Sequence, residues 1–194
     1  MPPREKIPDF LFLWGFFCTF AWQTEKEMDI NISESRLREA ACHGSEAFLS
    51  AVHDAVLEAV GGEVNGRTLP LLGGEQTTLL AYFILRREVM EGGFIQLIHN
   101  GYGPFIFLNP FAKAMRLWGA HDLGKLIYKG RRLFEQYGDR LTEDCTDEEF
   151  MALYEQYPAF DDLDDDFIDM EEEATDIIAH YVDGHLNQFV IPNP

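Results

Sequence analysis

At 194 residues, with 46% apolar and 13% aromatic content, the chain is long enough to bury a substantial core and is read as folded rather than disordered. A formal charge of −19 at pH 7 argues against direct contact with nucleic acid or an anionic membrane, because like charges repel. Three widely spaced cysteines, Cys18, Cys42 and Cys145, suit reduced thiols in a cytoplasm better than a disulfide framework.

Residues 1–27 stand apart from a single helical domain expected over 28–194. Phe10 to Trp22 is a nearly unbroken apolar run behind Arg4 and Lys6. It falls short of the about 20 residues that a membrane span needs, and it lacks the small-residue cleavage site of a signal peptide. The reading adopted is a start-site overcall, with translation beginning at Met28. A signal-like segment and an apolar arm packed on the domain or on a second copy are the alternatives.

From Ser33 onward the pattern is helical. Ser33 or Ser35 caps a first helix that runs to about Cys42, where Gly44 interrupts it. Ser45 restarts a helix through Phe48, Leu49, Val52, Val56, Leu57 and Val60, closed by Gly61-Gly62. Residues 63–74 read as a loop. The next helix spans about Glu75 to Glu91 and a short one Phe94 to His99, followed by a turn over 100–104 and an extended piece around Phe105 to Leu108. Asn109-Pro110 starts another helix, stopped by Gly119. Asp122 to Tyr137 follows, with Gly138 as its expected end. Thr146 with Glu149 forms a capping box that opens a helix ending before Pro158. Phe160 to Ile168 is expected as a short helix or ordered turn, and Met170 to His185 as a final helix. The fold class is all-α, a compact multi-helix domain with an acidic C-terminal third.

The charge is concentrated. Asp139 to Asp176 holds 17 of the 34 carboxylates and one cation, Arg140, so that tract carries −16 of the total. Aromatic and aliphatic residues run through it, which points to a folded acidic surface rather than a tail. Six of the 15 cations lie between Lys113 and Arg132, ahead of the acidic tract. Such polarised segments either pair with each other or make a dipolar molecule that associates head to tail or as a homodimer.

Glu88 to Gly101 contains a glycine-glycine-phenylalanine turn, then a glutamine and an asparagine: Gly92, Gly93, Phe94, Gln96 and Asn100. This resembles the core motif of a bacterial family named after a DNA-mimic protein. Gly119-Ala120, the run Phe160-Asp161-Asp162-Leu163-Asp164, and the closing stretch Tyr181 to Phe189 resemble its later segments, so the likeness covers about 33–189. From the residues themselves the motif is a structural corner. Gly92 suits a left-handed helix end, Phe94 fills the core, and Gln96 and Asn100 bond nearby backbone groups.

The resemblance implies an acidic protein-interaction module that displays carboxylates where a basic DNA-binding protein, a transcription factor or nucleoid protein, expects phosphates. The expected contact face is Asp161, Asp162, Asp164, Asp165, Asp166, Asp169, Glu171, Glu172 and Glu173. Carboxylates three or four apart on a helix lie about 5–6 Å from each other, and Glu143, Asp147, Asp161, Asp165, Asp169, Glu172 and Asp176 are candidates for one row. A purely solvated acidic face is the plain alternative. Calcium is another: Asp162, Asp164, Asp166 and Glu173 match four EF-hand ligand positions, but Phe167 stands where that loop needs glycine. No cofactor is expected, and 28–194 carries no membrane span. An enzyme is the least supported reading, its candidates being Glu88 and Glu91 near His99; no nucleophile motif, phosphate loop or metal-ligand spacing accompanies them.

Overall fold

The computed structural model describes residues 28–194, so the expectations for residues 1–27 lie outside the described part. Eight α-helices dominate the described residues: α1 (Glu34–Cys42), α2 (Ser45–Ala59), α3 (Gly74–His99), α4 (Gly103–Phe107), α5 (Phe111–Leu117), α6 (His121–Leu141), α7 (Asp147–Gln156) and α8 (Asp161–Gly184). Two three-residue strands, β1 (Asn31–Ser33) and β2 (Ile191–Asn193), pair in parallel, with Asn31 opposite Ile191 and Ser33 opposite Asn193. The all-α reading holds, and this small clasp fastens the C-terminal end of the chain beside the start of α1. Buried Ile30 and Ile32 anchor it from below.

Side-chain caps open three of the helices. Ser33 Oγ accepts from the Arg36 amide at 3.2 Å and opens α1. Asn109 Oδ1 accepts from the Phe111 amide at 2.8 Å and opens α5. At α7 the capping box is complete: Glu149 N–H donates to Thr146 Oγ1 at 3.3 Å, and Thr146 N–H donates to Glu149 Oε2 at 2.8 Å.

Four elements depart from the sequence reading. Phe105 to Leu108 is not extended: Gly103–Phe107 is a helical turn that buries Phe105, Ile106 and Phe107 together, which strand alternation would have split between two faces. Gly138 does not end its helix, and α6 continues to Leu141. Leu141 is fully buried, and that burial outweighs the roughly 1 kcal/mol cost of one helical glycine. The loop before α3 contains a 3-10 turn, Leu69–Leu71. The two expected C-terminal pieces are one helix, α8. Its buried residues Leu163, Phe167, Ala174, Ile178 and Val182 keep helical spacing through the supposed break, and no proline or glycine lies between them.

The core is arranged around α3, which is buried on most of its circumference. Helix α8 packs against α2, α3 and α6, and α6 packs against α4 and α5. Phe94, Phe107, Phe160 and Phe167 are all essentially inaccessible, with Phe94 meeting Phe167 edge-on at a centroid distance of 6.3 Å. That contact joins the middle of α3 to the acidic helix.

Candidate functional site

Helix α3 is broken in the middle. Gly92 (φ −165°, ψ 23°) and Gly93 (φ 72°, ψ −178°) leave helical geometry and then return to it. The left-handed residue is Gly93, not Gly92 as expected, and Gly93 is buried. A Cβ there would lie 2.8 Å from Asp164 Cγ, and one at Gly92 would lie 2.7 Å from Gln96 Cδ. Glycine is required at Gly93 for its conformation, and a side chain there would also displace Asp164; at Gly92 a side chain would have to displace that of Gln96.

A kink in a buried helix frees backbone groups that must find partners. Here they come from the two acidic helices. Tyr154 of α7 donates its hydroxyl to the Gly92 carbonyl at 2.7 Å. Asp164 of α8 accepts from the Phe94 amide at 2.8 Å, acting as a helix cap supplied by a distant segment. Gln96 and Asn100 were expected to bond backbone; they reach a side chain instead. Both donate to Glu88 Oε2, Asn100 at 2.7 Å and Gln96 at 3.4 Å, while Arg87 holds Glu88 Oε1 at 2.8 Å and touches Tyr102 Oη at 3.2 Å. Glu88 is only 4% exposed, so its carboxylate staples the two halves of α3 across the kink. A buried carboxylate needs such donors.

Helix α8 has two chemically different sides. Asp164 and Glu171 lie on its inner flank. Glu171 pairs with Arg86 and accepts from Thr175 Oγ1 at 2.9 Å, and Thr175 in turn meets Tyr82 Oη at 2.6 Å. Burial pushes the Asp164 carboxyl up to about 6, against the opposing Phe94 amide and with Asp161 and Asp165 adding to the rise. Tyr82 is likewise pushed up to about 12 by burial. Asp166 is half-buried and pairs with Lys129 of α6 at 2.8 Å.

The outer side is a row. Asp161, Asp162, Asp165, Asp169, Glu172, Glu173 and Asp176 are exposed, as is Asp183 further along. With about 100° per residue they fall within an arc of roughly 120°. Among the described residues the ion pairs that reach α8 are those of Glu171 and Asp166, so the row itself is not neutralised. Of the other cations on the basic helix α6, Lys125 pairs locally with Asp122 and Arg131 with Glu135, while Arg132 lies beside Asp162 and Asp166 in a shallow groove between α6 and α8. Ile168, 54% exposed, lies at the row's edge. Of the expected contact residues the structure thus brings six onto one face and draws Asp164, Asp166 and Glu171 into the fold. Glu143, between α6 and α7, and Asp147, the first residue of α7, are exposed but belong to other segments.

The other candidates scatter. The four calcium-loop positions, Asp162, Asp164, Asp166 and Glu173, lie on a continuous helix rather than a loop, and Asp164 faces inward. Among the described residues no group of three or more His, Cys, Asp or Glu side chains is placed to hold a metal ion. His99 is buried, donating from Nδ1 to the Leu141 carbonyl at 2.8 Å and packing on Phe150. Glu91 is exposed and Glu88 is stapled. No described helix is long and apolar enough to cross a membrane. Sequence reasoning missed Tyr154 and the inward roles of Asp164 and Glu171. A helical projection of α8 would have found the two acids, because both fall on the arc of Phe167, Ile178 and Val182.

Comparison with known proteins gives the arrangement a family. The profile described as DMP19-like protein matches residues 71–185, from just before α3 to just after α8. The chain is also 32% identical over 145 residues to the DNA mimic protein DMP19 of Neisseria meningitidis serogroup B (strain ATCC BAA-335 / MC58), covering 74% of this chain and 87% of that protein. The matched region holds the glycine corner, the Glu88 staple and the whole acidic helix, and by these matches the chain belongs to the DMP19-like family.

Proposed function

We propose that this chain binds a basic DNA-binding protein through the outer face of α8, which takes the place of DNA on that protein. The observation that carries the reading is the row itself, which has no ion pair among the described residues. From Asp161 to Asp183 it extends about 33 Å at 1.5 Å per residue, one carboxylate per roughly 4 Å. A single DNA strand carries one phosphate per about 3.4 Å. The similarity to a relative named as a DNA mimic supports the same reading, as does a family named for that protein rather than for a catalytic activity. The row works by charge: a cationic surface that releases counterions on meeting DNA meets comparable charge density here. The chain would act where DNA-binding proteins act, in the cytoplasm.

The test is an affinity capture from native lysate at low salt, eluted with rising salt and separately with duplex DNA, repeated with Asp161, Asp165 and Asp169 changed to lysine. A basic DNA-binding protein released by both eluents from the parent chain, and absent from the lysine variant, is the expected result. Retention by the variant, or failure of DNA to compete, would remove the reading.

A further inference from the structure

The glycine corner and the acidic row are not independent features. They meet at one side chain. Asp164 enters the corner from α8, and its oxygen takes the Phe94 amide at 2.8 Å. Its carboxyl group occupies the space that any side chain at Gly93 would need, since a Cβ there would lie 2.8 Å from Asp164 Cγ. The kink therefore does two things at once. It exposes an unsatisfied N–H at the start of the second half of α3, and it opens a slot just wide enough for a short acidic side chain. On α8, Asp164 is three residues from Asp161 and one from Asp165, so its inward direction fixes the direction of the row.

We propose that Asp164 is a positioning residue for the partner-binding face: seated in the Gly92–Gly93 corner, it sets the rotation of α8 that turns the carboxylate row to solvent. The proposal rests on the reading of that row as the binding face. It assigns the turn Gly92-Gly93-Phe94 a purpose that neither glycine shows alone, because the turn is the socket and Asp164 is the plug. Phe167, three residues on, packs edge-on to Phe94 and holds the same rotation by shape. The hydroxyl of Tyr154 on the Gly92 carbonyl closes the other side of the break. What the corner needs from Asp164 is an oxygen at the right reach. Its negative charge is not needed there, in keeping with a carboxyl that burial shifts toward the neutral form.

Two substitutions separate reach from charge. Asp164→Asn keeps the acceptor oxygen and loses the charge. Asp164→Glu keeps the charge and adds a methylene for which the corner has no room. Both are compared with the parent chain and with Asp165→Asn, which removes one charge from the row itself. Binding is read at low salt against an alanine-rich helical peptide bearing lysine at every fourth position, and the exchange rate of the Phe94 amide is read alongside. The expected order is Asn within about twofold of the parent and Glu weaker by about fivefold or more, with Phe94 exchange faster by about tenfold in the Glu variant alone. The opposite order, with Glu like the parent and Asn weakened as much as Asp165→Asn, would make Asp164 one more charge and overturn the proposal. Unchanged Phe94 exchange in the Glu variant would overturn it as well. If the peptide binds none of the four proteins, the reading of the row fails, while the exchange rates still decide whether Asp164 seats the corner.

Discussion

Glu88 and the outer carboxylates of α8 are the same chemical group in opposite circumstances. Glu88 is buried and surrounded by donors from Arg87, Gln96 and Asn100. The row from Asp161 to Asp183 is exposed, has no ion pair among the described residues, and lies beside a basic helix that sends one ion pair, Lys129 to Asp166, to α8 and keeps two within itself. The difference teaches where charge serves folding and where it is left over. A carboxylate taken out of water must be matched, or it destabilises the fold by several kcal/mol. One left in water costs little, so a dense unmatched row is available for something outside the molecule.

The comparison breaks most visibly at the buried end. Glu88→Ala would leave the amides of Gln96 and Asn100 and the guanidinium of Arg87 without their acceptor, inside a helix whose backbone is already interrupted. The expected loss is about 3 kcal/mol, the penalty for donors stranded in a mostly dry site, seen as a lower denaturation midpoint with an unchanged slope. Glu88→Gln, which keeps one acceptor oxygen, should lose less. If alanine at this position proves harmless, the staple is not what holds the kink.

Much of this fold was legible because its signals are local. Asn109-Pro110, the Thr146–Glu149 box and the 3.6-residue spacing of apolar positions act within one or two turns. The clasp of β1 on β2 was not, since Ile30 and Ile191 are far apart in sequence and are neighbours only in the folded chain. The candidate site divides in the same way. The acidic tract could be read from composition, but Asp164, Asp166 and Glu171 leave the surface because of partners on other helices: Phe94, Lys129 and Arg86. Likewise Gln96 and Asn100 find Glu88 only because the glycines redirect the helix between them.

Asp164 sits between the two extremes, and pH sharpens its position. Its folded value, about 6, is above the ordinary 3.8, so the folded chain holds that proton more tightly than the unfolded one. Stability from this residue is fully present below the ordinary value and is lost as pH rises through about 6. The groups that act on it are Asp161, Asp165 and the Phe94 amide. His53, pulled below its ordinary value by burial, has the opposite sign: its contribution is present above that value and lost as pH falls. Because His53 is unchanged in Asp164→Asn, the difference between the two proteins isolates Asp164. The variant should gain on the parent as pH goes from about 5 to about 7. A constant difference across that range would show that Asp164 titrates as an ordinary surface acid.

The smallest effect on stability belongs to the row, and it carries the most information about function. Changing Asp165 and Asp169 to asparagine and Glu172 to glutamine removes three exposed charges that face neighbours of like sign. Such pairs cost a few tenths of a kcal/mol each at helical spacing, so the melting temperature should stay level or rise slightly, and the helical circular dichroism should not change. Binding to a cationic partner should weaken in the same variant, with a shallower dependence on salt, because fewer counterions exchange on association. The two readouts must move apart for the comparison to stand. A drop of several degrees in melting temperature would mean that the row is held in the fold as Glu88 is. Unchanged binding together with unchanged stability would leave these carboxylates as a solvated face and send the search for a partner back to the corner.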